Sequence, residues 1–411
     1  MAKRPRVALI VESSTPFGRQ VLQGIARYVR THQSWSIFLE QREFGAMPRK
    51  WLLHRKWDGI ISRPTNPRLA EEFRRMKVPV VDLNSLYDDL GFPRIRSDNE
   101  AIGRMGAEHL LERGFRHFAF CSYSGTQWAG LRREGFAKRL AQAGHTCHVY
   151  ESPWRSGHLL EWDEDQERIA RWIKSLPKPC GLMACNDPRG QQVIDACWRV
   201  DVAVPEMVAI IGVDNDEILC ELCDPSMSSI IPNPQRIGYE AAATLDALMA
   251  GRRVTEREML IEPVGIKTRQ SSDVLAVEDQ DVAAAMTYIR DHALEGCTVQ
   301  DVLRHVPLGR SCLERRFRKY LGRSPQAEIH MIRIKRIRQL LAETDLPLAN
   351  IAELAGYEHP EYMNVVFKRE TGQTPGQYRR EVQLQLRAAA RGVHEEAAKN
   401  GDKRARHSRS A

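Results

Sequence analysis

The chain reads as an α/β front joined to an all-α back, and three observations predict this. From Val7 to about Arg269, short apolar runs alternate with amphipathic helical segments. From residue 282 to about Arg380, helical periodicity continues without a strand. Within that back, two segments align with each other at an offset of 50 residues. Alternation of the first kind indicates a parallel sheet covered on both faces, and the second pattern indicates helix packed on helix.

Length and composition set the frame. At 411 residues with 42% apolar content, the chain has room for about two to three domains with packed cores. No apolar run approaches the roughly 20 residues that a membrane helix needs, and Met1-Ala-Lys-Arg-Pro-Arg6 leads straight into the first strand, so a cytoplasmic protein is expected. Nine scattered cysteines, an odd number, suit reduced thiols. Only Cys220-Glu-Leu-Cys223 has ligand-like spacing, and without a second such pair or a nearby HxxxH it reads as buried helix thiols, with no metal and no cofactor expected. The net charge of +8 is uneven: residues 281–380 carry 16 basic against 12 acidic side chains, residues 381–411 carry 7 against 4, and the front is almost neutral. A basic back on a neutral front suggests that one part meets phosphate backbones and the other does not.

In the front, the expected strands are Val7–Val11, Gly59–Ser62, Val78–Leu83, Phe118–Ser122, Gly181–Cys185 and Val208–Val213. Ligands of such sheets bind beyond the carboxyl ends of the strands. The polar residues there therefore matter most: Glu12-Ser-Ser14 with Phe17, Asn186-Asp187, and Asp214-Asn-Asp216. An enzyme would need its chemistry in these loops. Glu12 to Gly18 has no GxxxxGK[ST], no GxGxxG occurs, Cys121-Ser-Tyr-Ser-Gly125 lacks the first glycine of a nucleophile elbow, and HExxH is absent. Asp, Asn, Arg and Ser groups with Phe17, Tyr123 and Trp128 suit hydrogen bonds to hydroxyls and stacking on an apolar ring face, a sugar rather than a reaction. Each acid also has a structural reading, since Asp98, Asp187 and Asp214 each precede a helical segment that they could cap.

Five segments sharpen this reading: Ser14-Thr-Pro-Phe-Gly-Arg-Gln-Val-Leu-Gln-Gly-Ile25, the run from Ile95 to Gly114, Leu131-Arg-Arg-Glu-Gly-Phe136, Ala184-Cys-Asn-Asp187 and Ile211-Gly-Val-Asp214. In that order they resemble the lactose-repressor and periplasmic sugar-binding families, over nearly all of residues 5–269. The resemblance implies a two-lobed, type I periplasmic-binding-protein-like sensor with ligand between lobes joined by a three-stranded hinge. It implies a first lobe of roughly residues 5–111 plus a return near 233–255. It also implies that Arg132 binds sugar hydroxyls and that Asp187 and Asp214 line the cleft. Glu12, Ser13 and Phe17 are the opening-loop candidates, and spacing leaves open which of them faces the ligand.

Residues 270–281 read as a linker. Beyond it, Val282, Met286, Ile289 and Ala293 form a stripe, and Thr298 with Asp301 has capping-box spacing ahead of Val299, Val302, Leu303 and Val306. Pro307-Leu-Gly309 makes a turn before Leu313, Phe317 and Leu321, completing a helix-turn-helix. A long helix through Met331, Ile334, Ile337 and Leu341 follows, and then the pattern returns with Leu348, Ile351, Ala352 and Ala355, Gly356 as the turn, and Met363, Val366 and Phe367. The segments 313–325 and 363–375 are thus a duplication of one unit.

Ile351-Ala-Glu-Leu-Ala-Gly-Tyr357, with Tyr362, Phe367-Lys368, Gly372, Thr374-Pro375 and Tyr378-Arg379, resembles the signature of the arabinose-regulator (AraC/XylS) family of transcription activators, the likeness covering residues 281–381. Met363 and Ile337 depart from its usual aromatic and alanine, yet both stay apolar. The resemblance implies two recognition helices entering successive major grooves about 34 Å apart. Candidate base readers are Arg310, Ser311, Glu314 and Arg315 in the first and His359, Glu361, Asn364 and Val365 in the second. Ser311 and Glu314 also have capping-box spacing, and His359-Pro360 also looks like a helix start. Residues 386–411 lack apolar periodicity and are expected to be a disordered basic tail.

A sugar-cleft sensor ahead of such a reader is the arrangement of the bacterial xylose-operon regulators, which the whole chain resembles. That implies a sugar-responsive activator of pentose genes with DNA, D-xylose and RNA polymerase as partners, acting as a homodimer. Another monosaccharide effector, or repression instead of activation, stays open at this point.

Overall fold

The computed structural model describes residues 4–32, 34–39, 55–87, 89–154, 159–254, 257–274, 276, 279–344 and 346–381, so the expected tail lies outside the described residues. The chain divides into two compact units, Met1–Ala276 and Val277–Ala411.

The first unit holds two six-stranded sheets. One contains β1 (Arg6–Ile10), β2 (Ser36–Leu39), β3 (Gly59–Ser62), β4 (Val80–Asp82), β5 (Arg94–Ser97) and β11 (Glu258–Ile261), all parallel, in the order β11-β5-β4-β3-β1-β2. The other contains β6 (His117–Ser124), β7 (Cys147–Pro153), β8 (Cys180–Ala184), β9 (Val208–Val213), β10 (Ser228–Ile231) and β12 (Gly265–Lys267), in the order β12-β10-β9-β8-β6-β7, with only β12 antiparallel. The six expected strands are present. Of the other six, β2 and β7 are sheet edges with largely exposed faces, and Arg94-Ile-Arg-Ser97 and Ser228-Ser-Ile-Ile231 place polar side chains in the interior.

The unit's helices are α1 (Pro16–Thr31), α2 (Pro67–Met76), α3 (Asn99–Glu112), α4 (Gln127–Gln142), α5 (Leu159–Ser175), α6 (Asp187–Arg199), α7 (Glu217–Leu222) and α8 (Pro234–Met249). The chain passes between the sheets after β5, after β10 and after β11, which is the three-stranded hinge. The first crossing comes at Asp98, not near residue 111, because α3 packs on α4 in the second lobe. Glycine makes that packing close: a Cβ on Gly103 would overlap the carbonyl oxygen of Arg132, and one on Gly135 that of Glu100. The first lobe repeats the device, with Gly24 of α1 against Gln235 and Gly238 of α8 against Val21. Each lobe is thus a sheet with an apolar core, such as Val7, Leu9, Ile61, Val81 and Leu245 in the first and Ala119, Leu182, Ile194 and Ile210 in the second.

The second unit is helical: α9 (Gln280–His292), α10 (Val299–His305), α11 (Arg310–Leu321), α12 (Pro325–Glu343), α13 (Leu348–Leu354) and α14 (Pro360–Thr371). Thr298 and Asp301 form the expected capping box, the Asp301 carboxylate accepting from Thr298 N at 2.8 Å. Val282 of α9 is buried, as are Val302, Leu313 and Phe317 in the first helix-turn-helix and Ile351, Ala352, Met363 and Phe367 in the second, with Ile337 of α12 among these last. Met331, expected on the inner stripe of α12, faces outward instead.

The helix α12 ties the two halves together through Arg333, which donates to Ala293 O at 2.7 Å and Cys297 O at 2.9 Å and lies 5.1 Å over the Tyr357 ring. Gly356, at φ +73°, turns the chain where a Cβ would press on the backbone of Ala293 and Leu294. The turn of the second helix-turn-helix therefore rests on the segment that follows α9.

Candidate ligand cleft and nucleic-acid interface

Between the lobes of the first unit lies a cavity of about 530 Å³, walled by the ends of parallel strands and the helix starts that follow them. Thr15 N-caps α1, accepting from Gly18 N at 3.1 Å, which turns the opening loop so that Ser14 to Phe17 form wall. Glu12 and Ser13 stand elsewhere. Glu12 is 3% exposed behind the wall and is ion-paired with Arg63, while Ser13 offers its carbonyl to Arg19 at 3.0 Å. The carboxylate thus serves the arginine that lines the cavity, and that guanidinium lies 4.5 Å from the centroid of Phe17.

Arg132 projects from α4 and is held on three sides. Its Nε donates to Asn99 Oδ1 at 2.9 Å, Nη1 to Cys185 O at 2.6 Å, and Nη2 to Asp214 Oδ1 at 3.4 Å, with the group 5.0 Å over Trp128. Asp214 follows β9 on a backbone at φ +108°, and Asn215 at +47° continues in the left-handed region, an arrangement that costs about 1–3 kcal/mol per residue for non-glycine residues. That turn aims Asp214 into the cavity. Burial raises its carboxyl above the ordinary range, and Arg132 and Arg63 pull it back.

Asp187 is fully buried in the cavity wall, accepting from Ser229 Oγ at 2.6 Å and from Asp216 N at 2.7 Å. Burial, then the charge of Asp214, push it up to about 8, which favours its protonated form. Neither acid caps a helix: Asn186 caps α6 and Asp216 caps α7, whereas Asp98 does cap α3, accepting from Ala101 N at 2.9 Å. Arg63 pairs with Glu12, Arg132 with Asp214 and Arg96 with Glu258, so each guanidinium of the wall meets a carboxylate and no surplus positive charge is left for a phosphate.

Aromatic rings complete the wall. Tyr123 and Trp128 each meet Trp154 edge-on, at 4.6 and 5.6 Å between centroids. Arg189, fully buried, supports Tyr123 from behind at 4.3 Å while donating to Asp165 Oδ2 at 2.7 Å and Ser122 O at 3.0 Å. Sequence reasoning missed Arg63, Asn99 and Trp154, each of which stands one or two residues beyond the end of a strand, β3, β5 and β7. The rule that singled out Asp187 and Asp214 would have found Arg63 had it been applied to Gly59–Ser62 as well.

In the second unit, α11 starts at Gly309 as N-cap, so Ser311 and Glu314 do not form its cap; Glu314 instead pairs with Arg310 at 3.5 Å. His359 is the N-cap of α14 and Pro360 its first residue. Arg310, Ser311 and Arg315 are exposed on α11, as are His359, Glu361 and Val365 at α14, whereas Glu314 and Asn364 are half-buried. Cys220 and Cys223 are buried thiols, and among the described residues no cluster of three metal-ligating side chains occurs. Among those residues, too, no helix is long and apolar enough to cross a membrane.

Family models match along the chain: an N-terminal domain described as that of XylR over residues 6–97, a periplasmic binding protein-like domain over 107–272, and a helix-turn-helix domain over 302–381. The xylose operon regulatory protein of Haemophilus influenzae is 32% identical, the match covering 91% of this chain and 98% of that protein. Its namesake in Escherichia coli strain K12 is 31% identical over 92% and 97%. A solved structure described as the xylose-binding transcription activator XylR superposes with a TM-score of 0.77 at 30% identity, covering 92% of this chain and 98% of that one. These relatives are transcription regulators, alike over both units. A two-lobed sensor with a charge-balanced cleft and a duplicated helix-turn-helix, matched almost end to end at this identity, place the chain in the family of xylose operon regulatory proteins.

Proposed function

We propose that the protein is a cytoplasmic, sugar-responsive activator of xylose-catabolic genes, with D-xylose as effector in the cleft of the first unit and promoter DNA bound by the second. The observation that carries the sensor half is the cavity wall: guanidiniums balanced by carboxylates, with ring faces beside them. A neutral polyol satisfies such a wall through its hydroxyls and apolar face, and a volume of about 530 Å³ lies within the roughly 300–1,000 Å³ usual for small-ligand sites. The names of the relatives point to the pentose. In this reading Arg132, Asp214 and Arg63 bind hydroxyls, Phe17 and Trp128 take the ring face, and Asp187 holds the Asp214–Asp216 turn while presenting a neutral carboxyl. Glu12 acts through Arg63, and Ser13 through the shape of the loop.

In the reader half, Arg310, Ser311, Glu314, Arg315, His359, Glu361, Asn364 and Val365 face base edges, two protomers act together, and RNA polymerase is contacted when promoters are activated. Calorimetry with a panel of D-xylose, L-arabinose, D-ribose, D-glucose and a pentose phosphate tests the sensor. D-xylose binds, the phosphate does not, and Arg132→Ala and Asp214→Asn each cost about 2 kcal/mol, roughly 30-fold in Kd. Absence of binding by any sugar, or wild-type affinity in both variants, overturns the reading.

A further inference from the structure

The duplication lets one recognition helix be read against the other, since residues 50 apart occupy equivalent places in α11 and α14. Leu313 and Met363 are buried, as are Phe317 and Phe367. Gly322 and Gly372 end the two helices at φ +68° and +80°, and Ser324-Pro325 and Thr374-Pro375 follow. The exposed basic pairs Arg318-Lys319 and Lys368-Arg369 are kept in both copies. What both copies share is therefore the apolar frame and two cations suited to phosphate, groups that carry no sequence information.

The copies part on the face between. Arg315 is exposed on α11, and among the described residues it makes no ion pair, unlike Arg310 with Glu314 and Arg316 with Asp279 and Asp281. Its equivalent is Val365, 63% exposed among Glu361, Lys368 and Arg369. Helix propensity does not account for a β-branched residue there, and packing does not either. A single exposed apolar side chain needs no explanation by itself, but this one stands in register with the arginine of the other copy. In the major groove, arginine matches the O6 and N7 acceptors of guanine, and an apolar branched side chain matches the 5-methyl group of thymine.

We propose that Arg315 on α11 recognises a guanine and that Val365 on α14 recognises a thymine through its methyl group. These two positions then fix one base each in the two elements, about 10 base pairs apart, that the helices enter. The inference rests on the DNA-reading function proposed above.

Selection of sites from a random DNA library by the full-length protein with saturating D-xylose tests it, followed by anisotropy titrations in which single thymines are replaced by deoxyuridine. The selected site holds one guanine whose preference, on the order of tenfold or more, disappears in Arg315→Ala. It also holds one thymine in the other element whose loss of a methyl weakens the wild type about fourfold and leaves Val365→Ala unchanged. Two like elements, no methyl-sensitive thymine, or equal sensitivity in Val365→Ala overturn this proposal while DNA binding stands. Recovery of no specific DNA, with or without sugar, overturns the regulator reading and this proposal with it.

Discussion

Glu12 is separated from the cavity by the arginine it serves, so its removal acts at one remove. Burial lowers the Arg63 guanidinium to about 10, which leaves it charged at pH 7 but dependent on its partners. Glu12→Gln leaves a buried cation short of an anion, and we expect a loss of about 2–3 kcal/mol in urea denaturation together with weaker sugar binding. His109 gives a pH signature. It is buried with Nε2 2.8 Å from Ser272 Oγ, and burial, then Arg113, push it down to about 3. The unfolded chain takes up this proton below about pH 6.5 while the folded chain refuses it, so stability is lost as pH falls from about 6.5 towards 3. Asp187 works in the opposite sense, gaining stability as pH falls from about 8. The comparison with His109→Gln isolates the histidine: the variant's advantage over wild type in thermal midpoint grows as pH drops from 6.5 to 5, and a constant difference removes this account. At this scale Arg132, Asp187 and Asp214 were legible because each lies in a motif or directly after an obvious strand. Trp154 and Asn99 follow β7 and β5, whose polar residues hid the strands themselves.

Helix crossings set the element scale. Gly103→Ala places a methyl against the carbonyl of Arg132 and forces α3 from α4, at a cost of about 1–3 kcal/mol and with a displaced guanidinium in the cleft. Sugar affinity should fall with stability, which calorimetry and denaturation measure on the same sample. Gly356→Ala acts on the other unit, where a positive φ and the Ala293–Leu294 backbone both oppose a Cβ. We expect the second helix-turn-helix to lose protection from amide exchange before the first, while sugar affinity stays as in wild type. The cleft also grips the segment leaving the sensor: Arg269 donates to Asn215 Oδ1 at 3.0 Å, and the start of the expected linker, Gln270–Ser272, is a 3₁₀ turn hydrogen-bonded to Ser226 and Ser228. Composition marks those residues as linker because they are polar, and their order comes from distant partners.

In the proposed reading effector and DNA bind different units of the molecule, so any effect of one on the other is a coupling free energy and must be reciprocal. The factor by which D-xylose tightens promoter binding should equal the factor by which promoter DNA tightens D-xylose binding; unequal factors exclude a single equilibrium linking the two. The basic excess beyond residue 280 predicts that DNA affinity falls steeply with salt, whereas sugar affinity in the charge-balanced cleft does not.

The sequence by itself determined the kind of protein: the alternation of strands and helices determined the α/β front, the ordered motifs that resemble sugar-binding regulators its sensor reading, and the 50-residue duplication the paired helix-turn-helix. These are local or periodic properties, carried by neighbouring residues. Tertiary structure alone decided that α3 belongs to the second lobe, that Glu12 stands behind Arg63 instead of in the cleft, and that burial beside Asp214 raises the Asp187 carboxyl. Each depends on what residues far apart in the chain bring to one place, and burial, the largest cause of the pKa shifts, has no value until the chain has folded.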